Sequence, residues 1–226
     1  MNKNYTELAF ILDRSGSMEN CQAAAIEGFN RFLEEQQKAD GLAKLTLVLF
    51  DDEYLLPAQS LPVAEVLPLN SDTYVPRNST ALLDAVGRTI DDLGNHLAAL
   101  PEKGRPAQVI VAILTDGLEN ASEKYTWKQV SRLIKQQTEQ YRWTFLFLGA
   151  NQDAIATAAQ LSIAAANSAT YVADAPGSRA VHRSLSRKMH SMRRTAMGNA
   201  TLQEQADAAA PMSELVAEED SKERPE

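Results

Sequence analysis

Nearly unbroken apolar runs alternate along this chain with segments whose apolar residues recur at helical spacing, and few folds accommodate that alternation. Residues 7–12, 45–50, 108–114 and 143–148 carry the runs, among them Leu8-Ala9-Phe10-Ile11-Leu12 and Val109-Ile110-Val111-Ala112-Ile113-Leu114. A strand with one wet face alternates polar and apolar residues, whereas a parallel strand covered on both faces does not. Between the runs, Ala23, Ile26, Phe29, Phe32 and Leu33 form a helical stripe over 20–37. Leu82, Leu83, Val86, Ile90 and Leu93 do the same up to residue 99, with Ser79 or Thr80 as the expected cap. Helices are also predicted over 126–140 and 153–161, a short edge strand over 54–57, an irregular stretch over 58–79 and a last short strand over 170–172. The sum is an α/β chain with a mostly parallel sheet covered on both faces, and in such sheets ligands bind at the carboxyl ends of the strands.

The 226 residues suffice for one core and a small extension. A net charge of −8 argues against nucleic-acid binding by the whole protein. No stretch approaches the roughly 20 apolar residues of a membrane span. The first residues lack the pattern of a secretory signal, and Cys21 alone permits no internal disulfide, so a cytoplasmic chain with an inert, half-buried thiol is expected. Residues 1–176 are expected to form the main domain. Residues 177–198 carry Arg179, Arg183, Arg187, Lys188, Arg193 and Arg194 beside Val181, Leu185, Met189 and Met192, which predicts a basic amphipathic helix. Its apolar stripe is expected to cover the sheet; the alternative is docking of an acidic partner or nucleic acid. Residues 199–226, Ala-rich and then acidic, are expected to be disordered.

Directly after the first run stands Asp13-Arg14-Ser15-Gly16-Ser17. A carboxylate and two hydroxyls at alternate positions just past a strand end can converge on one point, and hard oxygen donors suit a hard divalent cation. Two further segments offer matching groups. Thr80 lies where a loop enters a helix, and Asp116 lies in Thr115-Asp116-Gly117, straight after the fourth run. Asp13, Ser15, Ser17, Thr80 and Asp116 together supply two carboxylates and three hydroxyls, an oxygen set for an octahedral ion with waters filling the gaps.

These residues, in this order and on this alternation of elements, resemble the metal-ion-dependent adhesion site of von Willebrand factor A domains of the small intracellular bacterial or phage type. The Thr80-x-Leu82-x-Asp84-Ala85 context strengthens the second loop, whereas Asn78-Ser79 stand where relatives often carry glycines. The resemblance covers about residues 5–175. It implies a Rossmann-like three-layer sandwich with one antiparallel edge strand, and a site holding Mg²⁺, with Mn²⁺ or Ca²⁺ as alternatives. It further implies a non-enzymatic module that binds a partner protein's Asp or Glu through the ion; the lack of a spanning apolar stretch adds the expectation of no membrane partner. Such small relatives often work beside an AAA+ ATPase or in another multi-subunit assembly.

Two other functions compete. A metal-dependent hydrolase or phosphotransfer enzyme would place Asp13 beside the ion, but Arg14 and Arg77 read as solvated loop charges, and no phosphate-binding loop or H-E-x-x-H pattern occurs. Nucleic-acid binding would depend on the basic helix alone, because residues 1–176 hold 14 Lys and Arg against 22 Asp and Glu. The turn Asp51-Asp52-Glu53 reads as solvated, Trp127 and Trp143 as core, and Glu119 and Asn120 as loop residues after Asp116, with bordering the binding face and setting partner choice as the alternative.

Overall fold

The structure, a computed structural model, describes residues 1–150 and 153–224. The elements are β1 (Asn2–Asp13), α1 (Gln22–Lys38), β2 (Leu42–Phe50), β3 (Tyr54–Pro62), α2 (Leu82–Ala99) and β4 (Pro106–Thr115). They continue with α3 (Trp127–Tyr141), β5 (Thr144–Ala150), α4 (Ala154–Gln160), β6 (Ser168–Tyr171), α5 (Ala175–Met197), α6 (Leu202–Ala209) and α7 (Met212–Glu223). The strands form one sheet in the order β3-β2-β1-β4-β5-β6. Every pairing is parallel except β2 with β3 at the edge. This is the expected three-layer α/β sandwich with its antiparallel edge strand.

Period-two alternation divides the core between the two faces. Leu8, Phe10 and Leu12 of β1 join a cluster with α1 and α5. Ala9 and Ile11 join the opposite cluster with α2 and α3. The central strands are apolar throughout because both clusters need them. The order of connections reverses between β1 and β4, so their carboxyl ends, Asp13 and Thr115, flank a crevice at a topological switch point. Among the described residues no helix is long and apolar enough to cross a membrane.

Several expectations require correction. β3 runs through Pro62 rather than stopping at Pro57. It is an edge strand, where proline removes no ladder bond from a second neighbour, and its register shifts along the pairing with β2. α2 begins at Leu82 without a side-chain cap from its preceding residue, so neither Ser79 nor Thr80 caps it. Glu119 Oε2 takes the Leu83 N–H at 2.9 Å and Ser122 Oγ takes that of Asp84 at 3.0 Å, which leaves the Thr80 hydroxyl free of that duty.

The basic helix begins earlier than expected, at Ala175, with Asp174 accepting the Gly177 N–H at 2.8 Å. Val181, Leu185 and Met189 are buried in the core and Met192 packs against it, so the apolar stripe covers the sheet and α1. The largest difference is the tail. Residues 199–226 are expected to be disordered, yet 202–223 form α6 and α7; Pro225 and Glu226 lie outside the described residues. Met212, Leu215 and Val216 recur at helical spacing and are buried against the core. The tail's acids meet the bases of α5: Arg187 pairs with Asp207 and Glu218 at 2.6 Å each, and Arg179 with Glu223 at 2.7 Å. Arg224 pairs with Asp174 at 2.6 Å. Charge that would repel in an isolated tail is offset by its neighbour.

Candidate metal centre

Three loops at the carboxyl ends of the strands meet. Ser15 Oγ lies 3.1 Å from Ser17 Oγ, and Ser17 Oγ donates to Asp116 Oδ1 at 2.5 Å. A Cβ added to Gly117 would stand 2.3 Å from Thr80 Oγ1 and 3.2 Å from Ser15 Oγ, so the second and third loops touch only because residue 117 has no side chain. Asp13, Ser15 and Thr80 are buried, Asp116 is partly covered, and Ser17 faces solvent. All five sequence-selected residues therefore converge, and the exposed side of their cluster opens to solvent at Ser17.

The electrostatics of the cluster suit a cation. Burial pushes the Asp13 carboxyl above its ordinary range, against the hydrogen bonds it accepts. Burial raises Asp116 to about 6; the Ser17 hydrogen bond opposes that shift and the Asp13 charge adds to it. Two desolvated carboxylates this close attract a positive charge, and three uncharged hydroxyls beside them add donors without neutralising it. Among the described residues no group of three or more His, Cys, Asp or Glu is placed to hold a metal ion, so the hydroxyls are essential to this set.

No family model matches the chain, and no curated protein matches it. Solved structures do. Proximal thread matrix protein 1 from the mussel byssus, with zinc in its MIDAS motif, superposes at TM-score 0.53 with 16% identity, over 87% of this chain and 47% of that one. A von Willebrand factor type A protein from Catenulispora acidiphila gives 0.54 and 16%, over 83% and 43%. The ArnB paralog VWA2 from Sulfolobus acidocaldarius gives 0.52 and 16%, over 83% and 45%. The fold is that of a von Willebrand factor A domain. The chain spans less than half the length of each of these structures.

Within this von Willebrand factor A fold, groups outside the motif hold the five in place. Asp13 accepts from Ser15 N at 2.7 Å and from Thr115 Oγ1 at 2.5 Å, while its backbone carbonyl accepts from the buried Tyr74 hydroxyl at 2.6 Å. Asn120 Oδ1 takes the Thr80 N–H at 2.9 Å, and the Thr80 carbonyl accepts from Asn120 N and Ala121 N. Glu119 turns its carboxylate inward to Leu83 N, Ala121 N and Ser122 N. Glu119 and Asn120 thus position the second loop. Asn78 adopts φ 58°, a left-handed conformation that Asn tolerates and Gly favours, which accounts for its place where relatives often carry glycine.

The turn after β2 is solvated at Asp52 and Glu53 but not at Asp51. Asp51 is fully buried; Arg77 Nε donates to its Oδ2 at 2.9 Å, and Arg14 Nη2 lies 3.0 Å from it at an angle that makes the pair ionic rather than hydrogen-bonded. Glu53 also pairs with Arg77. Backbone bonds from Arg77 N to Arg14 O and from Gly16 N to Asn78 O tie the first two loops together. Arg14 and Arg77 are therefore structural clasps. Thr115 adjoins Asp116 in sequence, whereas Tyr74 and Asp51 reach the site loops only through the fold.

Cys21 is buried, and burial with the Asp116 and Asp174 charges pushes its thiol up, which suits an unreactive sulfur.

Proposed function

We propose that Asp13, Ser15, Ser17, Thr80 and Asp116 hold a divalent cation, and that the chain is a metal-dependent protein-interaction module, an adaptor or regulatory subunit, that binds a carboxylate of its partner there. The observation that carries this reading is the convergence of three separate loops on one cluster of oxygens, closed by Gly117 and open to solvent at Ser17. Bound there, the cation supplies a Lewis-acidic coordination position. Asp13 and Asp116 together balance the ion's charge without exceeding it, so a coordination position left to water can still take an incoming Asp or Glu side chain. The hydroxyls orient toward the ion without further neutralising it. Compact oxygen donors favour Mg²⁺ over Ca²⁺, with Mn²⁺ close behind. A protein of the same fold holding zinc in its MIDAS motif fits this reading. A single buried thiol fits a reducing, cytoplasmic setting, and a larger assembly, such as one built around an AAA+ ATPase, fits a module of this kind.

Calorimetric titration with Mg²⁺ and Mn²⁺ tests the site, and partner capture with and without EDTA tests its use. Saturable binding by the wild-type chain, lost in Asp13→Ala, together with EDTA-sensitive capture, supports the proposal. Capture that persists in EDTA or in Asp13→Ala refutes it.

A further inference from the structure

The metal face does not end at Thr80. The next residue, Ala81, lines a cleft of about 460 Å³ shared by the turn after β2, the first turns of α2 and residues 124–125. The cleft is continuous with the site loops: Ala81 N donates to Asp51 O at 2.8 Å, and Asn78 Nδ2 to Asp52 Oδ1 at 2.9 Å. Its volume falls within the range that accepts a small ligand or a large side chain.

Most polar groups in the cleft already have partners. Asp84 accepts the N–H groups of Glu123, Lys124 and Tyr125. Tyr125 donates its hydroxyl to Asp91 at 2.7 Å, and its ring lies against Gly87, where an added Cβ would stand 2.4 Å from it. Tyr54 pairs with Thr89, and Arg88 lies 4.1 Å above the Tyr54 ring while bonding Asp92. Glu53 is held by Arg77. What remains is apolar surface from Leu55, 37% exposed, and the partly exposed rings of Tyr54 and Tyr125, over a floor of buried Ala81 and Ala85, together with the exposed Lys124 ammonium, which has no side-chain partner among the described residues. Leu118 and Val75, on the loops bordering the site, are 68% and 44% exposed and add apolar surface to the metal face.

We infer that this cleft is a second recognition site for the same partner: it receives an aromatic or aliphatic side chain next to the carboxylate on the metal, and Lys124 receives a second acid beyond it. The inference rests on the metal reading above. The order of groups follows from charge. Asp52, exposed and joined to the site loop through Asn78, disfavours a second acid directly after the one on the metal, whereas Lys124 attracts one at the other segment of the cleft. The preferred segment is therefore acidic, apolar, acidic. A random-peptide library does not commit to that answer in advance.

Such a library, displayed on phage, is panned on the whole chain in Mg²⁺ and eluted with EDTA. The expected pool carries Asp or Glu followed within a few positions by an apolar residue and a second acid. A synthetic peptide of that consensus should bind about tenfold tighter than its counterpart with glycine at the apolar position. Leu55→Ser should erase that advantage without affecting the glycine peptide. Lys124→Glu should weaken the consensus peptide about threefold to tenfold and shift its own pool toward Lys or Arg at the second charged position. Both residues are exposed, so melting curves should match wild type. An EDTA-eluted pool rich in acids but indifferent to their neighbours, or one unchanged by Lys124→Glu, overturns the cleft and leaves the metal reading standing. A pool that neither EDTA nor Asp13→Ala affects overturns the metal reading, and the cleft falls with it.

Discussion

Asn120 shows how a residue outside the five proposed ligands can govern their arrangement. Its side-chain oxygen holds the Thr80 amide at 2.9 Å from 40 residues away, and its own amide donates to the Thr80 carbonyl. Removing the side-chain acceptor leaves Thr80 N–H in a covered place without that partner and frees the second loop to drift. Asn120→Ala is therefore expected to lower Mg²⁺ affinity by about ten- to hundredfold with all five proposed ligands intact. Asn120→Asp keeps the acceptor and should retain most of the affinity. Calorimetric titration of the two variants separates positioning from charge, since an effect of added charge would appear in the Asp variant alone. Gly117 sets a stricter limit. A methyl group there would overlap Thr80 Oγ1, so Gly117→Ala should abolish metal binding while the remote core keeps its packing.

At the scale of elements, α5 combines two jobs: its apolar face completes the sheet's cover and its basic face anchors the tail. His182 sits at the centre of the first. It is buried, stacks on Phe10 with ring centroids 6.2 Å apart, and lies where a Cβ on Gly28 would overlap it. Its Nδ1 is 2.8 Å from the Ser178 carbonyl, so Nδ1 carries the proton and Nε2 is left as a buried acceptor without a partner among the described residues. Burial lowers its pKa from the ordinary 6.5 to about 4, outweighing the Ser178 hydrogen bond. A base whose folded pKa is depressed stays neutral in the fold and takes up a proton more readily when unfolded. Its contribution to stability is therefore complete above pH 6.5 and is lost as pH falls toward about 4. The loss is about 3 kcal/mol. Denaturant unfolding across that window should show the slope, and His182→Phe, which keeps the ring beside Phe10, should flatten it. The tail makes a separate prediction. Deleting 199–226 removes Met212, Leu215 and Val216 from the core and strips Arg187 of Asp207 and Glu218. The truncated chain should melt earlier and bind hydrophobic dye. A disordered tail would leave both measurements unchanged.

For the whole molecule, what the sequence discloses depends on the range of the interaction. The first and third site loops are legible because Asp13 and Asp116 follow apolar runs directly, and strand ends in a parallel sheet share one edge. The second loop is legible only as Thr80 in its local pattern. Its supports, Asn120 and Glu119, act across 40 and 36 residues, a distance that no local spacing encodes. The tail is misread for the same reason: composition averages its acids without showing that the arginines of α5 lie against them. The same long-range geometry gives a thermodynamic test of the site. Without a cation, burial raises the proton affinity of Asp13 and Asp116, the latter to about 6. A carboxyl whose folded pKa is raised contributes stability at low pH that is lost as pH rises through the folded value, here about 6 for Asp116. The ion-free chain should therefore be penalised at neutral pH, where both groups are charged and close. A divalent ion that binds only the folded form removes that penalty and adds its binding energy. At about a hundred times its Kd this amounts to about 2.7 kcal/mol. For a chain of 226 residues that is about 5–10 °C in Tm. Calorimetric melts in Mg²⁺ and in EDTA should differ by that amount at pH 8 and by much less at pH 5, where Asp116 is mostly protonated. Asp116→Asn should melt higher than wild type in EDTA and gain little from Mg²⁺. A Tm that ignores both the ion and the pH would show that these carboxylates are not a cation site.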